Sequence, residues 1–303
     1  MNARDPRIGV VVVTRDRIPD LLDALGHLRA LPERPGIVVV DNASSDGTVA
    51  TVRQRHPEVE VIALNENLGA AGRNVGVETM GTPYVAFSDD DSWWAPGSLS
   101  RAADLFDAHP RLGLLVARIL VGPREREDPI CKEMARSPLP EEPDLPGPPV
   151  LGFLACAAIV RRSAYLEVGG FQPRLLIGGE EDLLAADLAS AGWGLAYAHD
   201  VVAHHHPSTT RDARAVRRLR VRNALWFAWL RRPASTATSH TLRVLGAAPR
   251  GADARAGLLK ALRGLPWALR ERRVIPPHVE SRLRMLDRER GLRALRKPAS
   301  RAS

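Results

Sequence analysis

Ile8 to Val13 is β-branched throughout except for Gly9, and no polar residue alternates along it. Such a strand is apolar on both faces and is stable only when both are covered, as in a parallel sheet flanked by helices. The requirement recurs down the chain. Ile37 to Val40 and Val59 to Leu64 read as further strands, Asp20 to Leu31 carries apolar residues at helical spacing (21, 22, 25 and 28), and Thr48 to Arg55 follows a turn as a second helix. Strand, helix, strand, helix, strand predicts a doubly wound α/β architecture. Ligands in such sheets sit beyond the C-terminal strand ends. Polar clusters fall at those ends: Thr14 to Arg17, Asp41 to Asp46, Asn65 to Asn74, and Asp89 to Asp91.

The last cluster is the most demanding. Tyr84 to Phe87 reads as a strand that delivers Asp89, Asp90 and Asp91 together. Carboxylates this close repel one another, so they need water or a bridging cation. Hard oxygen ligands suit Mg²⁺ or Mn²⁺ sharing its sphere with substrate phosphates; the plain alternative is an acidic turn. Asp41, directly after a buried strand, can accept from a base N–H or a ribose hydroxyl, or else form an Asx turn or helix cap. The glycine-rich stretch Asn65 to Gly76 opens a helix and can bring backbone N–H groups and Arg73 against an anion. Neither a Gly-x-Gly-x-x-Gly after the first strand nor a Gly-Lys-Ser/Thr is present, which removes support for dinucleotide and P-loop sites.

Four motifs in order carry a resemblance: Val13-Thr14-Arg15-Asp16-Arg17; Val40-Asp41-Asn42-Ala43-Ser44-Ser45-Asp46-Gly47-Thr48; Asn67-Leu68-Gly69 with Gly72-Arg73-Asn74; and Ser88-Asp89-Asp90-Asp91. The chain resembles the family-2 inverting glycosyltransferases of GT-A fold, in their rhamnosyltransferase-like bacterial branch. The resemblance implies a mixed, doubly wound sheet over residues 1–210, with a nucleotide-sugar half at 1–92 and an acceptor half at 93–210. It implies a nucleotide-diphosphate sugar donor, with UDP- and dTDP-sugars favoured, and a divalent cation, Mn²⁺ or Mg²⁺. The matching positions assign Thr14, Arg15, Asp41, Asn67, Gly69, Arg73, Asn74, Asp89 and Asp90 to the donor. Asp89 and Asp91 are assigned to the metal.

The acceptor half is expected to supply the base. Leu105 to Val121 reads as a helix end and a strand. Gly122 to Pro149, with eight prolines and seven acidic residues, is a poor helix or strand and is expected to be a mobile loop beside the acceptor. Gly178-Gly179-Glu180-Glu181-Asp182 opens a helical pattern, and a helix N-terminus favours ionised carboxylates. The family's Glu-Asp motif makes Asp182 the base with Glu181 as its neighbour, helix capping being the alternative. Leu184 departs from the family, where many members have another Asp; the departure touches acceptor positioning. Trp193 to Tyr197 and Val201 to Ala203 read as the last strands. In an extended segment His204 and His206 face one side and His205 the other. The family commonly gives one histidine here to the metal; His204 is expected, with His206 second, against a surface cluster as the alternative.

Residues 211–303 hold 24 Arg or Lys against 6 Asp or Glu, a net of +18 that leaves residues 1–210 at −10. Amphipathic helices mixing Arg with Trp226, Phe227 and Trp229 suit an anionic membrane surface, or else pack on the catalytic domain. Pro266 is expected to kink a later helix. No nucleic-acid motif accompanies the charge, so nucleic acid is not expected. Two cysteines imply no disulfide framework, and no apolar run reaches the roughly 18 residues of a membrane span. A cytoplasmic setting follows, with room for a peripheral position at the inner face of the cell membrane. Transfer to a glycan, lipid-linked or small-molecule acceptor, in cell-envelope, polysaccharide or natural-product synthesis, is the expected function. A nucleotidyltransferase acting on a sugar phosphate and a non-catalytic membrane-associated protein are the alternatives.

Overall fold

The computed structural model describes residues 5–207, 213–247 and 252–296. Strands β1 (Ile8–Thr14), β2 (Gly36–Asp41), β3 (Glu60–Ala63) and β4 (Tyr84–Asp89) are parallel, joined through helices α1 (Ile18–Arg29), α2 (Thr48–Arg55) and α3 (Gly72–Thr79). The uninterrupted β-branched runs are buried as their composition requires, and α1 covers them with Leu21, Ala24, Leu25 and Leu28. At Gly76 a Cβ would collide with Val11, so α3 lies directly against the sheet. That close approach brings Arg73 to the strand ends.

Beyond β4 the chain forms β5 (Ser92–Trp94), α4 (Ser98–Ala108), β6 (Leu112–Val121), β7 (Arg126–Glu127), α5 (Pro129–Ala135), β8 (Ala158–Arg161), α6 (Arg162–Glu167), α7 (Glu180–Ser190) and β9 (Gly194–His205). The sheet runs β3-β2-β1-β4-β8-β6-β9-β5, with β7 beside β6. β8 is antiparallel to both β4 and β6, so it fuses the parallel half to a second, mixed half. The two last strands expected from the sequence are one strand, β9, which pairs with β6 across a bulge.

Gly122 to Pro149 is better ordered than its prolines suggest. It holds β7 and α5; the Asp128 side chain accepts from the Ile130 N–H at 2.9 Å to cap α5, and Cys131 is buried against β6. Arg111 pairs with Glu142 and Asp144 farther along. Prolines outside α5 stiffen the path between these anchors.

The C-terminal helices are α8 (Ala213–Arg231), α9 (Ala234–Ala247), α10 (Ala252–Arg270), which continues through Pro266, and α11 (Pro277–Arg296). The domain boundary expected at residue 210 lies outside the described residues. Trp226 and Phe227 are buried rather than presented to a surface: Trp226 donates to the Ala261 carbonyl at 2.9 Å and meets Trp267 edge-on at 5.2 Å. These rings therefore form core between α8 and α10. Arg231 pairs with Asp187 on α7, tying the helices to the acceptor half.

Candidate active site

Three of the four strands of the parallel half, β1, β2 and β4, end on a polar residue whose side chain is already engaged. Thr14, closing β1, donates its hydroxyl to Asp90 Oδ2 at 3.0 Å. Arg17 donates to Asp90 Oδ1 at 2.9 Å and reaches Asp91 Oδ2 at 3.4 Å. Asp41, closing β2, forms the Asx turn, its Oδ2 accepting from the Ser44 N–H at 2.9 Å. Its Oδ1 is buried with no hydrogen-bond partner among the described residues, which leaves one acceptor for a ligand.

Three of the residues expected at the donor, Asn67, Gly69 and Asn74, make contacts within the protein. Asn74 accepts from the Phe171 N–H at 2.9 Å and from the Tyr165 hydroxyl, and donates to the Phe171 carbonyl at 2.8 Å. It braces α3 against the segment after α6. Asn67 accepts from the Gly69 N–H at 2.8 Å, and the Ala70 N–H donates to the Leu176 carbonyl at 2.7 Å. The glycine turn thus spends these donors inside the protein rather than on an anion. Gly69 has φ +59°, and a Cβ there would strike the Leu176 carbonyl, so the position demands glycine. Arg73 is buried and pairs with Asp89, between the rings of Phe87 and Phe171. Arg15 stays exposed beside Asp16.

Asp89, Asp90 and Asp91 occupy three different environments. Asp89 is matched by Arg73. Asp90 is buried, and loss of solvent pushes its carboxyl up to about 6, with Asp89 and Asp91 adding to the effect and Arg17 and Thr14 opposing it. Asp91 is buried beside β9, its Oδ1 3.5 Å from His205 Nε2, while its backbone carbonyl accepts from the His206 N–H at 2.8 Å. Pairing of Ser92 with His205 across β5 and β9 fixes this juxtaposition.

The histidine beside the triplet is therefore His205, whereas the sequence pointed to His204, with His206 second. Those two do share one face, as alternation requires, but it is the opposite one: His204 stacks on Trp93 at 5.8 Å and lies 3.5 Å from Glu125, and His206 meets Trp93 edge-on at 4.6 Å. Alternation could not say which face carries the aspartates; the β5–β9 register does. His205 Nε2 is buried without a hydrogen-bond partner among the described residues and faces the Asp91 carboxylate. No group of three or more His, Cys, Asp or Glu among the described residues is arranged to hold a metal by itself. Two protein ligands fit a hard cation that completes its sphere with water and phosphate oxygens.

Glu180, Glu181 and Asp182 begin α7 after Gly178 and Gly179, which adopt φ +87° and +101°. The helix end favours ionised carboxylates, yet burial wins: both Glu180 and Glu181 are raised above the ordinary carboxylate range, chiefly by loss of solvent, each also affected by a neighbouring carboxylate. Glu181 lies within the electrostatic reach of Arg73 and Asp89. Glu181 and Asp182 also line a cavity of about 280 Å³, walled by Met134 from α5, Leu151 and Phe153 from the segment before β8, and Leu286 from α11. Thus the 122–149 segment does border this cavity, as a folded wall. A second cavity of about 460 Å³ among the C-terminal helices shares Leu151, Asp182 and Leu286 with the first.

A clamp on this acidic corner was hidden in the sequence. Asn223 of α8 is fully buried, and its Nδ2 donates to the carbonyls of Leu175 at 2.9 Å, Ile177 at 3.2 Å and Gly178 at 2.8 Å. Arg222 donates to the carbonyls of Arg174 at 3.1 Å and Leu175 at 2.8 Å, and orients Asn223 through its Oδ1 at 2.9 Å. Leu176 between them has φ +61°. An Arg-rich helix reads as solvated charge; the signal was an asparagine in its middle, after a double glycine in the loop it holds.

A parallel nucleotide-binding half fused through an antiparallel strand to a mixed half, with aspartates at the end of β4, defines the glycosyltransferase fold of GT-A type. Residues 9–169 match the family described as Glycosyl transferase family 2, and the chain belongs to it. It is similar to the N-acetylglucosaminyl-diphospho-decaprenol L-rhamnosyltransferase of Mycobacterium tuberculosis, with 30% identity over 67% of this chain and 78% of that protein. The pre-mycofactocin glycosyltransferase of the same organism is 32% identical over 68% of this chain and 44% of its own length. Among solved structures, the mannosyltransferase PcManGT from Pyrobaculum calidifontis, in complex with GDP-Man and Mn²⁺, covers 98% of this chain and 83% of its own at a TM-score of 0.58 and 21% identity. S. aureus TarS in complex with UDP-GlcNAc covers 91% and 83% at 0.59 and 19% identity. The protein is a glycosyltransferase that uses nucleotide-sugar donors.

Proposed function

We propose that the protein transfers a sugar from a nucleotide-diphosphate sugar to an acceptor hydroxyl with inversion, assisted by Mn²⁺ or Mg²⁺. The observation that carries this is the nearness of two acidic corners: Glu181, which lines the 280 Å³ cavity with Asp182, lies within electrostatic reach of Asp89, beside the Asp91–His205 contact. Asp41 Oδ1 and Thr14 border the place for the nucleotide. Asp91 and His205 would hold the cation, which supplies charge neutralisation for the departing diphosphate.

The acceptor lies in the cavity with its hydroxyl at the Glu181–Asp182 pair. A carboxylate of that pair takes the hydroxyl proton as the oxygen bonds to the anomeric carbon; the bond to the diphosphate breaks, and the nucleoside diphosphate leaves with the electron pair. Elevated proton affinity at Glu181 suits acceptance of a proton. UDP- and dTDP-sugars are the favoured donors, and a role in cell-envelope or related glycan synthesis accords with the lipid-linked substrate in the mycobacterial relative's name. Family membership favours this chemistry over nucleotidyl transfer and over a non-catalytic role.

The test is release of nucleoside diphosphate from UDP-sugars, dTDP-rhamnose and GDP-mannose with Mn²⁺, read with and without EDTA. Hydrolysis of one donor that stops with EDTA and in Asp91→Ala supports the proposal. A nucleotidyltransferase would release pyrophosphate on incubation of a nucleoside triphosphate with a sugar phosphate, and that product would overturn it.

A further inference from the structure

The outer face of α10 is unusual for a helix so firmly packed on its inner side. Gly257 approaches Val221 of α8, Ala261 accepts from Trp226, and Trp267 is buried. Away from that seam, Leu259, Leu262 and Leu269 are 63%, 54% and 48% exposed, and Pro266 is exposed between them. Their spacing of three, four and three residues keeps all four on one side of an α-helix. Arg255, Lys260, Arg263 and Arg270 are exposed beside this stripe, with no acidic side chain from Arg255 to Arg270. Neighbouring α9, which also packs on α8, adds Leu242 and Leu245 at 62% and 44% exposure with exposed Arg243 between them.

We propose that this face of α10 docks on an anionic lipid surface, the leucines entering the interface and the flanking cations meeting phosphate headgroups. Two observations select that occupant. Aligned leucines this exposed lose favourable burial in water, and an interfacial apolar layer restores it. Cations flanking the stripe oppose the other simple occupant, a second copy, because a two-fold contact would set arginine and lysine rows against each other. An anionic bilayer satisfies both the apolar stripe and its charges. None of the described helices is long and apolar enough to cross a membrane, so the contact is interfacial. Trp226 and Phe227 of α8, by contrast, are core.

The experiment is flotation of the full chain with vesicles of phosphatidylcholine alone and of phosphatidylcholine with added phosphatidylglycerol, at low and high salt. Binding to the anionic vesicles alone, weakened by salt, is expected. The triple variant Leu259→Ser, Leu262→Ser, Leu269→Ser should lose about tenfold in partitioning, because the removed side chains supply the inserted area. Its circular dichroism and thermal midpoint should match the parent's, since the changed positions are exposed. Lys260→Gln, Arg263→Gln and Arg270→Gln together should reduce the salt dependence. Equal flotation of parent and triple variant, or no flotation with anionic vesicles, would overturn the proposal. So would a concentration-dependent dimer in light scattering that the triple variant abolishes, which assigns the stripe to a second copy. Flotation is read without turnover, so it stands or falls separately from the assigned chemistry.

Discussion

The two acidic corners of the cleft solve the same electrostatic difficulty in different ways. At the end of β4, Asp89 and Asp90 have guanidinium partners, Arg73 and Arg17, and Asp91 faces an imidazole. At the start of α7, Glu180 and Glu181 are held without a guanidinium in hydrogen-bonding contact, and burial raises their proton affinity. Guanidinium partners offset Asp89 and Asp90 in one corner, where burial still raises Asp90, while in the other corner burial raises Glu180 and Glu181 with no such pairing among the described residues. The first corner suits a ligand that brings a cation with its phosphates; the second suits one that brings a proton to remove.

The sharpest way to break the contrast is to remove the anchor of the first corner. Asp91→Ala should lower transfer by about a thousandfold or more, since the charge that holds the cation disappears; nucleoside diphosphate release measures it, and Asp91→Ala turnover near the parent's would sink the metal assignment. In the second corner, Asp182→Asn and Glu181→Gln each test the base. The variant that removes it should lose about a hundredfold to ten-thousandfold in turnover while calorimetry shows unchanged donor affinity. Retained turnover in both would place the base elsewhere.

Asn223→Leu probes what holds the second corner in place. It strands the carbonyls of Leu175, Ile177 and Gly178, which should cost about 1–3 kcal/mol in urea unfolding. Misplacement of α7 should also reduce turnover by about tenfold, with donor affinity intact. A loss of stability alone would show that the clamp serves only the fold.

The pH dependence of stability separates the corners further. Glu180 has a folded-state pKa raised above its unfolded value, so folding retains a proton that the unfolded chain releases once pH exceeds the ordinary carboxylate range. Stability is therefore highest on the acid side of that window and declines as pH rises through the elevated pKa. Glu180→Gln should match the parent in acid and surpass it at alkaline pH in thermal melts; a parallel offset at all pH values would contradict the assignment. The smallest effect is expected on the far side of β9. His205→Ala should raise the Mn²⁺ concentration needed for half-maximal activity about tenfold, whereas His204→Ala should leave it unchanged.

The parallel half was legible because its strands obey one rule: a β-branched run with no polar alternation must be covered on both faces, and Val10 to Val12 and Val38 to Val40 are. Ends of such strands follow from the same rule, which is why Thr14, Asp41 and Asp89 were found. Individual roles were less legible. Asn74 and Gly69 sit in the right motif, but their partners, Phe171 and Leu176, lie about a hundred residues away in sequence, and local pattern carries no information about them. His205 escaped for a related reason, since the choice of face depends on a strand register formed with Ser92. The aromatic residues of α8 could not be assigned between membrane and packing, because Trp beside Arg has the same composition in a helix seam as on a membrane.

Leu176 is one of the points at which the two halves of the molecule meet. Its carbonyl receives the Ala70 N–H from the donor-side turn and leaves no room for a side chain at Gly69, while the peptides on either side of it are gripped by α8. Such a joint transmits displacement. If the donor-side turn shifts by a fraction of an ångström, the loop ahead of Glu180 must shift with it or lose that bond. That bond couples the donor-side turn to the loop that carries Glu180, so a movement of either is felt by the other.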